Sequence, residues 1–174
     1  ITTDRGVITI ADGQTSGTLS IAANNTDDVY VDGSKLVATI TEVNGPGFEN
    51  LEVAADQGSA TAEIKDTIDT ATVSLSGSVQ NEGAGAQYVF TATLSHASQG
   101  VTTITSDRGG ITIADVQTSG TFSIAANNTA KVYVDGSKLV ATITEAHGPG
   151  IENLEVAADQ GAATAEIKDT RATL

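Results

Sequence analysis

The 174-residue sequence contains no cysteine, methionine or tryptophan, and only 3% of its residues are aromatic. The absence of cysteine excludes disulfides, thiolate metal sites and a cysteine nucleophile. A secreted chain without disulfides needs another source of stability, and bound cations are the obvious alternative. Hydrophobic residues make up 39% of the chain. The core must therefore be built mainly from Val, Ile, Leu and Ala.

Positive charge is also scarce, because eight Lys and Arg accompany 22 Asp and Glu, which gives a net charge of -14. So acidic a chain repels phosphate backbones and anionic lipid head groups, and we expect no nucleic-acid partner and no membrane insertion. No apolar run approaches the ~18 residues of a membrane-spanning helix. Residues 1–5 do not resemble a signal peptide, and they begin inside a strand-like run. We therefore expect the sequence to be a segment of a longer protein.

An internal repeat organises the sequence. Residues 1–67 align with residues 104–170 at an offset of 103, with ten differences among the 67 positions. A period of this length is that of a whole domain, since solenoid repeats are typically ~20–50 residues long. Near-identical copies in series favour a structural role over a catalytic one. The expected domains are a partial repeat at 1–67, a complete repeat at 68–170 and the start of the next linker at 171–174.

Apolar and polar residues alternate with a period of two in both copies, which is typical of strands with one buried face. Turn residues such as Asn81-Glu82-Gly83 and Gly148-Pro149-Gly150 separate these runs, and no segment has a helical pattern. The sequence therefore predicts an all-β fold of tandem immunoglobulin-like antiparallel β-sandwiches, without the cysteine pair and tryptophan of antibody domains. The predicted strands A to G cover 71–80, 86–95, 101–106, 110–114, 121–125, 138–145 and 151–168, the last interrupted near residue 160.

The connections of an antiparallel sandwich alternate between its two ends. We call the end where the chain arrives the N-terminal pole; it should carry the B–C, D–E and F–G loops. The C-terminal pole should carry the A–B, C–D and E–F loops and the last residues of strand G. This arrangement predicts a concentration of carboxylates at the C-terminal pole of both units, followed by the acidic linker Asp66-Thr67-Ile68-Asp69.

Clustered carboxylates repel one another unless a cation lies among them, and Ca²⁺ takes six to eight oxygen ligands. We therefore expect a Ca²⁺ site near the linker. The alternative is that each acid is an ordinary solvated turn residue, and no EF-hand loop occurs in the sequence. The candidate metal ligands are Asp32, Asp66, Asp69, Glu82, Asp135, Glu152 and Asp169. A second group of candidates comprises Asp4, Asp27, Asp28, Asp107 and Asn153.

Four segments in combination resemble a known family: residues 66–75 (DTIDTATVSL), 81–83 (NEG), 132–135 (VYVD) and 150–156 (GIENLEV). They are similar to the ~100-residue immunoglobulin-like repeats of giant repeats-in-toxin (RTX) adhesins of Gram-negative bacteria. The resemblance implies an extracellular, type I-secreted extender of a cell-surface adhesin, acting in adhesion and biofilm formation. It also implies Ca²⁺ at the domain junctions.

A second similarity is to Calx-beta domains, in which a Glu closing the first strand and Asp residues before the sixth bind Ca²⁺. Glu82, Asp27, Asp28 and Asp32 match that placement. The second copy departs from the pattern, because Ala130 and Lys131 replace Asp27 and Asp28, whereas Asp32 and Asp66 recur as Asp135 and Asp169.

Catalytic chemistry is not expected. The two histidines, His96 and His147, lie in loops, and His147 replaces Asn44 of the first copy, so no shared mechanism depends on it. The leading hypothesis is a calcium-rigidified extender whose partners are neighbouring identical repeats. The alternative is an adhesive module that binds a carbohydrate or a surface. Because the first repeat lacks strands A and B, we also expect its open edges to pair with strands from elsewhere.

Overall fold

The computed structural model describes residues 1–127 and 136–170, and each regular element in these ranges is a β-strand. The all-β prediction is therefore confirmed. The chain forms two compact units. The first comprises Ile1–Asp27 and Asp32–Thr67, and the second comprises Asp28–Val31 and the described residues from Ile68 onward.

The first unit contains one antiparallel sheet of four strands in the order β2-β1-β3-β4. Strand β3 pairs with β4 from Ser34 opposite Ile64 to Thr39 opposite Ser59. On its other edge β3 pairs with β1 across an irregular register. The strand bounds are β1 Thr2–Thr3, β2 Gly6–Val7, β3 Ser34–Glu42 and β4 Ser59–Ile64.

The second unit contains two sheets, in the orders β10-β7-β5-β12 and β6-β13-β11-β8-β9. Most neighbours are antiparallel, but β12 pairs with β5 and β13 pairs with β6 in parallel. The strand bounds are β5 Thr70–Gly77, β6 Val79–Asn81, β7 Gln87–Leu94, β8 Thr102–Ser106, β9 Gly110–Ile113, β10 Ser119–Ala125, β11 Ser137–His147, β12 Asn153–Val156 and β13 Ala162–Lys168.

Both sheets contribute alternate side chains to a single core in the second unit. Phe90 of β7 is fully buried and stacks on Phe122 of β10, with ring centroids 5.3 Å apart. Ile167 of β13 and Ile111 of β9 face it from the other sheet and are each 1% exposed. This arrangement is a β-sandwich, in which the inward residues of each strand pack between the sheets.

The same β-branched residues lie open in the first unit. Ile64 is equivalent to Ile167, but it is 47% exposed rather than 1%. Residues 1–67 align only with 104–170, so they contain no counterpart of β5 and β7, which cover this face in the second unit. The uncovered face forms an apolar groove of about 610 Å³, lined by Leu19, Ile21, Leu36, Ala62 and Ile64 among others.

Two predicted strands are divided in the structure. Strand A breaks after Gly77, and β5 and β6 belong to different sheets. A Cβ atom at Gly77 would collide with the carbonyl of Thr164 on β13, so glycine permits the close approach at which the chain changes sheets. Strand G divides into β12 and β13 around the turn at Gln160, which confirms the predicted interruption.

Candidate functional site

The C-terminal pole of the first unit brings two candidate ligands together. The Asp32 N–H donates to Asp66 Oδ2 at 3.1 Å, and Asp32 Oδ2 in turn accepts the Thr26 N–H at 3.1 Å. The Thr67 hydroxyl contacts the carboxylate of Asp27. Strand pairing causes this meeting, because Ser34 at the start of β3 lies opposite Ile64 at the end of β4. Asp32 and Asp66 are therefore neighbours at this pole, both half-buried and joined through the Asp32 backbone N–H.

The corresponding pole of the second unit carries Glu82 and Asp169. The Glu82 N–H donates to the Lys168 carbonyl at 2.9 Å, so the parallel pairing of β6 with β13 places Glu82 beside the end of β13. Glu82 is only 6% exposed, and its Oε1 accepts the N–H and the hydroxyl of Thr170 at 2.9 and 2.7 Å. Asp169 is exposed. Asp135, the equivalent of Asp32, lies outside the described residues.

The N-terminal pole of the second unit holds Asp69 and Glu152. Glu152 Oε2 accepts the Asp69 N–H at 2.5 Å. The neighbouring Asn153 donates its amide to the Thr70 hydroxyl at 3.0 Å, and Asp28 Oδ1 accepts the Tyr30 N–H at 2.8 Å. The two carboxylates thus accept backbone N–H groups where a strand or a turn begins, whereas the Asn153 amide binds a side-chain hydroxyl.

Asp4 and Asp107 do not lie at the poles, contrary to the expected placement. Asp107 Oδ1 accepts the Thr142 N–H at 2.8 Å, five residues along β11 from Ser137, which begins that strand. At ~3.3 Å per residue this is roughly 16 Å from the C-terminal pole. Strand β8 pairs only with the distal half of β11, so the turn that follows it falls halfway along the sheet. Asp4 makes the same contact with Thr39 in the first unit.

The donor chemistry of the poles suits a hard cation, because it consists of carboxylate and backbone oxygens. Within residues 1–127 and 136–170, however, no three acidic or histidine side chains come close enough together to hold a metal ion. The poles bring acidic residues together two at a time, as at Asp32 and Asp66, where the Asp66 carboxylate accepts the Asp32 N–H. Any Ca²⁺ held there would complete its six to eight ligands with carbonyl oxygens, amide oxygens and water.

The alternation of apolar and polar residues does not predict a structural role for the segment Asp28–Val31. In the structure, however, these four residues belong to the second unit. Val29 is 6% exposed and joins the buried core of that unit, and Tyr30 packs against the same core. One signal in the sequence was available, because VYVD recurs unchanged at 132–135. The two residues before this segment differ between the copies, whereas the apolar segment itself does not. A packing contact that is repeated in each copy would require this pattern.

The chain is therefore an all-β protein with an internal sequence repeat, and acidic residues lie at the poles of its units. Residues 1–67 and 69–170 each match the model of the LapA domain. The chain therefore belongs to the LapA domain family, which associates it with the surface adhesins of bacteria. Searches of curated proteins and of solved structures returned no match. Among the described residues there is no helix with the length and apolar character needed to span a membrane.

Proposed function

We propose that the chain is a non-catalytic extender segment of a secreted bacterial adhesin, in which immunoglobulin-like repeats of the RTX-adhesin type project a binding domain away from the cell. The observation that carries this proposal is the succession of two LapA-domain matches that differ at ten of 67 aligned positions. Length is a property that grows with each added copy, whereas a receptor site or an active site is served by one copy.

The mechanical part of the proposal is that Ca²⁺ stiffens the array. The covalent linker Asp66-Thr67-Ile68-Asp69 carries an acid at each end, and the Asp66 carboxylate already accepts the Asp32 backbone N–H. The carboxylates of neighbouring acidic residues in a chain of net charge -14 repel each other, and a divalent cation bound between them would replace that repulsion with attraction. Carboxylates would bind the ion, and the bound ion would remove freedom from the linker.

Calcium is accordingly expected to raise the melting temperature of the chain. A ligand that binds only the folded state adds RT ln(1 + [L]/Kd), which is about 2.7 kcal/mol at a hundredfold excess over Kd. Differential scanning calorimetry in Ca²⁺ and in excess chelator measures this change. Asp66→Asn should greatly reduce the calcium-dependent shift, because the amide retains the shape and the hydrogen bond to Asp32 but removes the charge.

Asp56→Asn is the matched control. Asp56 is an exposed turn residue with φ of 62°, a conformation that Asn adopts readily, so the substitution changes the net charge equally without altering a pole. It should leave the calcium-dependent shift intact. Identical melting of the unmodified chain in Ca²⁺ and in chelator would contradict calcium binding, and equal losses in the two variants would assign the effect to net charge.

Monovalent salt is expected to rescue part of the metal-free stability. Raising ionic strength from about 0.01 M to 0.15 M shortens the Debye length from ~30 to ~8 Å and screens the repulsion between carboxylates. The gain should be smaller than that from Ca²⁺ at the same ionic strength, because screening forms no bonds. Thermal melts in NaCl and CaCl₂ of matched ionic strength make the comparison, and equal gains would favour screening alone.

The groove in the first unit does not favour the alternative of a ligand-binding module. Its lining residues are the equivalents of core residues in the second unit, where Ala165 and Ile167 are covered. A site that exists only where covering strands are missing is not a feature of the repeat. Carbohydrate binding would therefore need a surface that both copies share.

A further inference from the structure

The second unit contains a segment that comes from the first sequence repeat. Tyr30 forms an antiparallel bridge with Ile151, and the Glu152 N–H donates to the Val29 carbonyl at 2.9 Å. The Tyr30 hydroxyl donates to the Ala97 carbonyl at 2.9 Å. Val29 and Ile151 are both 6% exposed. The segment thus adds an isolated β-bridge, a buried side chain and a hydroxyl hydrogen bond to the second unit.

We propose that this Val-Tyr-Val segment is a docking strand by which each repeat completes the core of the repeat that follows it. The partner is an identical repeat, and the receiving surface is the loop Gly148-Pro149-Gly150-Ile151-Glu152 together with Ala97. Main-chain pairing gives such strand addition its affinity, and the side-chain pocket gives it specificity.

Two comparisons between the copies support this assignment. The apolar triplet recurs unchanged in the sequence as Val132-Tyr133-Val134, which is what a contact repeated along an array of such repeats would require. The first repeat carries the same receiving loop, with Phe48 in place of Ile151, and Phe48 is 67% exposed. The apolar residue at this position is therefore buried where a preceding segment covers it and open where none does.

The docking strand differs from the proposed calcium contact in chemistry. It consists of apolar burial and hydrogen bonds among neutral groups, so neither chelation nor salt should release it. Asp28, which accepts the Tyr30 N–H, is replaced by Lys131 in the second copy, so the shared element is the apolar triplet and not this acid.

The test uses hydrogen exchange and mass spectrometry on the full 174-residue chain in chelator and again in Ca²⁺. Val29→Ala removes buried methyl groups and should accelerate exchange at Glu152 on the order of tenfold in both conditions. Tyr30→Phe removes only the hydroxyl and should give a smaller acceleration at the same amide. Val132→Ala and Tyr133→Phe are the matched controls, and they should leave exchange at Glu152 unchanged.

Peptides that cover 146–152 and 43–49 differ at three positions, so their masses separate the two receiving loops. In the unmodified chain the amide of Glu152 should exchange more slowly than that of Glu49. Equal effects of Val29→Ala and Val132→Ala, or no effect of Val29→Ala, would overturn the docking strand. A calcium-independent melt with the Glu152 protection intact would overturn the calcium mechanism alone, so the two failures are distinguishable.

Discussion

Ile167→Ala is expected to cost the second unit about 2–5 kcal/mol of unfolding free energy, the range for truncating a fully buried isoleucine. Ile64→Ala, the same substitution at the equivalent position, is expected to cost about 1 kcal/mol or less in the first unit. The residues lie in the same register of the same strand pair, opposite Ser137 and Ser34. They differ in the strands above them, since Ile167 is 1% exposed and Ile64 is 47% exposed.

Native-state hydrogen exchange in increasing denaturant separates these two costs. A two-unit chain need not unfold in one step, so a single global melt would average them. Peptides that span Ser59 in the first unit and Ala162 in the second have different masses and report on β4 and β13 individually. Similar costs at the two positions would show that the apolar face of the first unit is covered in solution.

Alternation predicted where strands form, but not which sheet each one joins. The run at 71–80 alternates throughout, yet the chain changes sheets at Gly77. A period of two describes one strand and its two faces, and it carries no information about a partner. The close approach of Gly77 to the Thr164 carbonyl is a tertiary contact between distant parts of the sequence, so it is visible only in the folded structure.

The repeats themselves show that strand formation depends on a partner. The sequence NLEV occurs at 50–53 and at 153–156, but only the second copy is a strand, β12, because only there does β5 pair with it. Similarly, β10 pairs with β7, whereas residues 16–22, its near-identical counterpart, form no strand. Local propensity is the same in both copies, so the difference comes from tertiary pairing.

The sequence predicted which candidate ligands would share a pole, but it did not predict how close together they would lie. Alternating connections correctly suggested that Asp32 and Asp66 would meet, and their contact in the first unit follows from the register of β3 and β4. The same reasoning misplaced Asp107, because it assumed that every connection between strands lies at one of the two poles. Strand β8 has five residues beside the eleven of β11, and its turn therefore lies far from the pole.

Adding the missing strands to the first unit is expected to change its stability about as much as Ile167→Ala changes that of the second unit. Placing a copy of residues 68–103 before Ile1 would supply counterparts of β5, β6 and β7 to the groove of about 610 Å³. Burying this face stabilises the fold by about 25 cal/mol for each Å² of apolar surface removed from water, and it also pairs open strand edges. We expect slower exchange throughout β3 and β4, and we expect residues 50–53 to become protected as a strand.

The extended chain also changes the expected outcome of Ile64→Ala, whose cost should rise to that of Ile167→Ala because the two sites become equivalent. Light scattering of the original chain tests the competing route, in which strands of a second molecule cover the groove; that route gives a dimer at working concentration. A monomeric original chain, together with an extended chain in which Ile64→Ala remains mild, would contradict completion by either route. A rise in the cost of Ile64→Ala on extension, with no dimer beforehand, would identify the strands of the repeat itself as the natural cover.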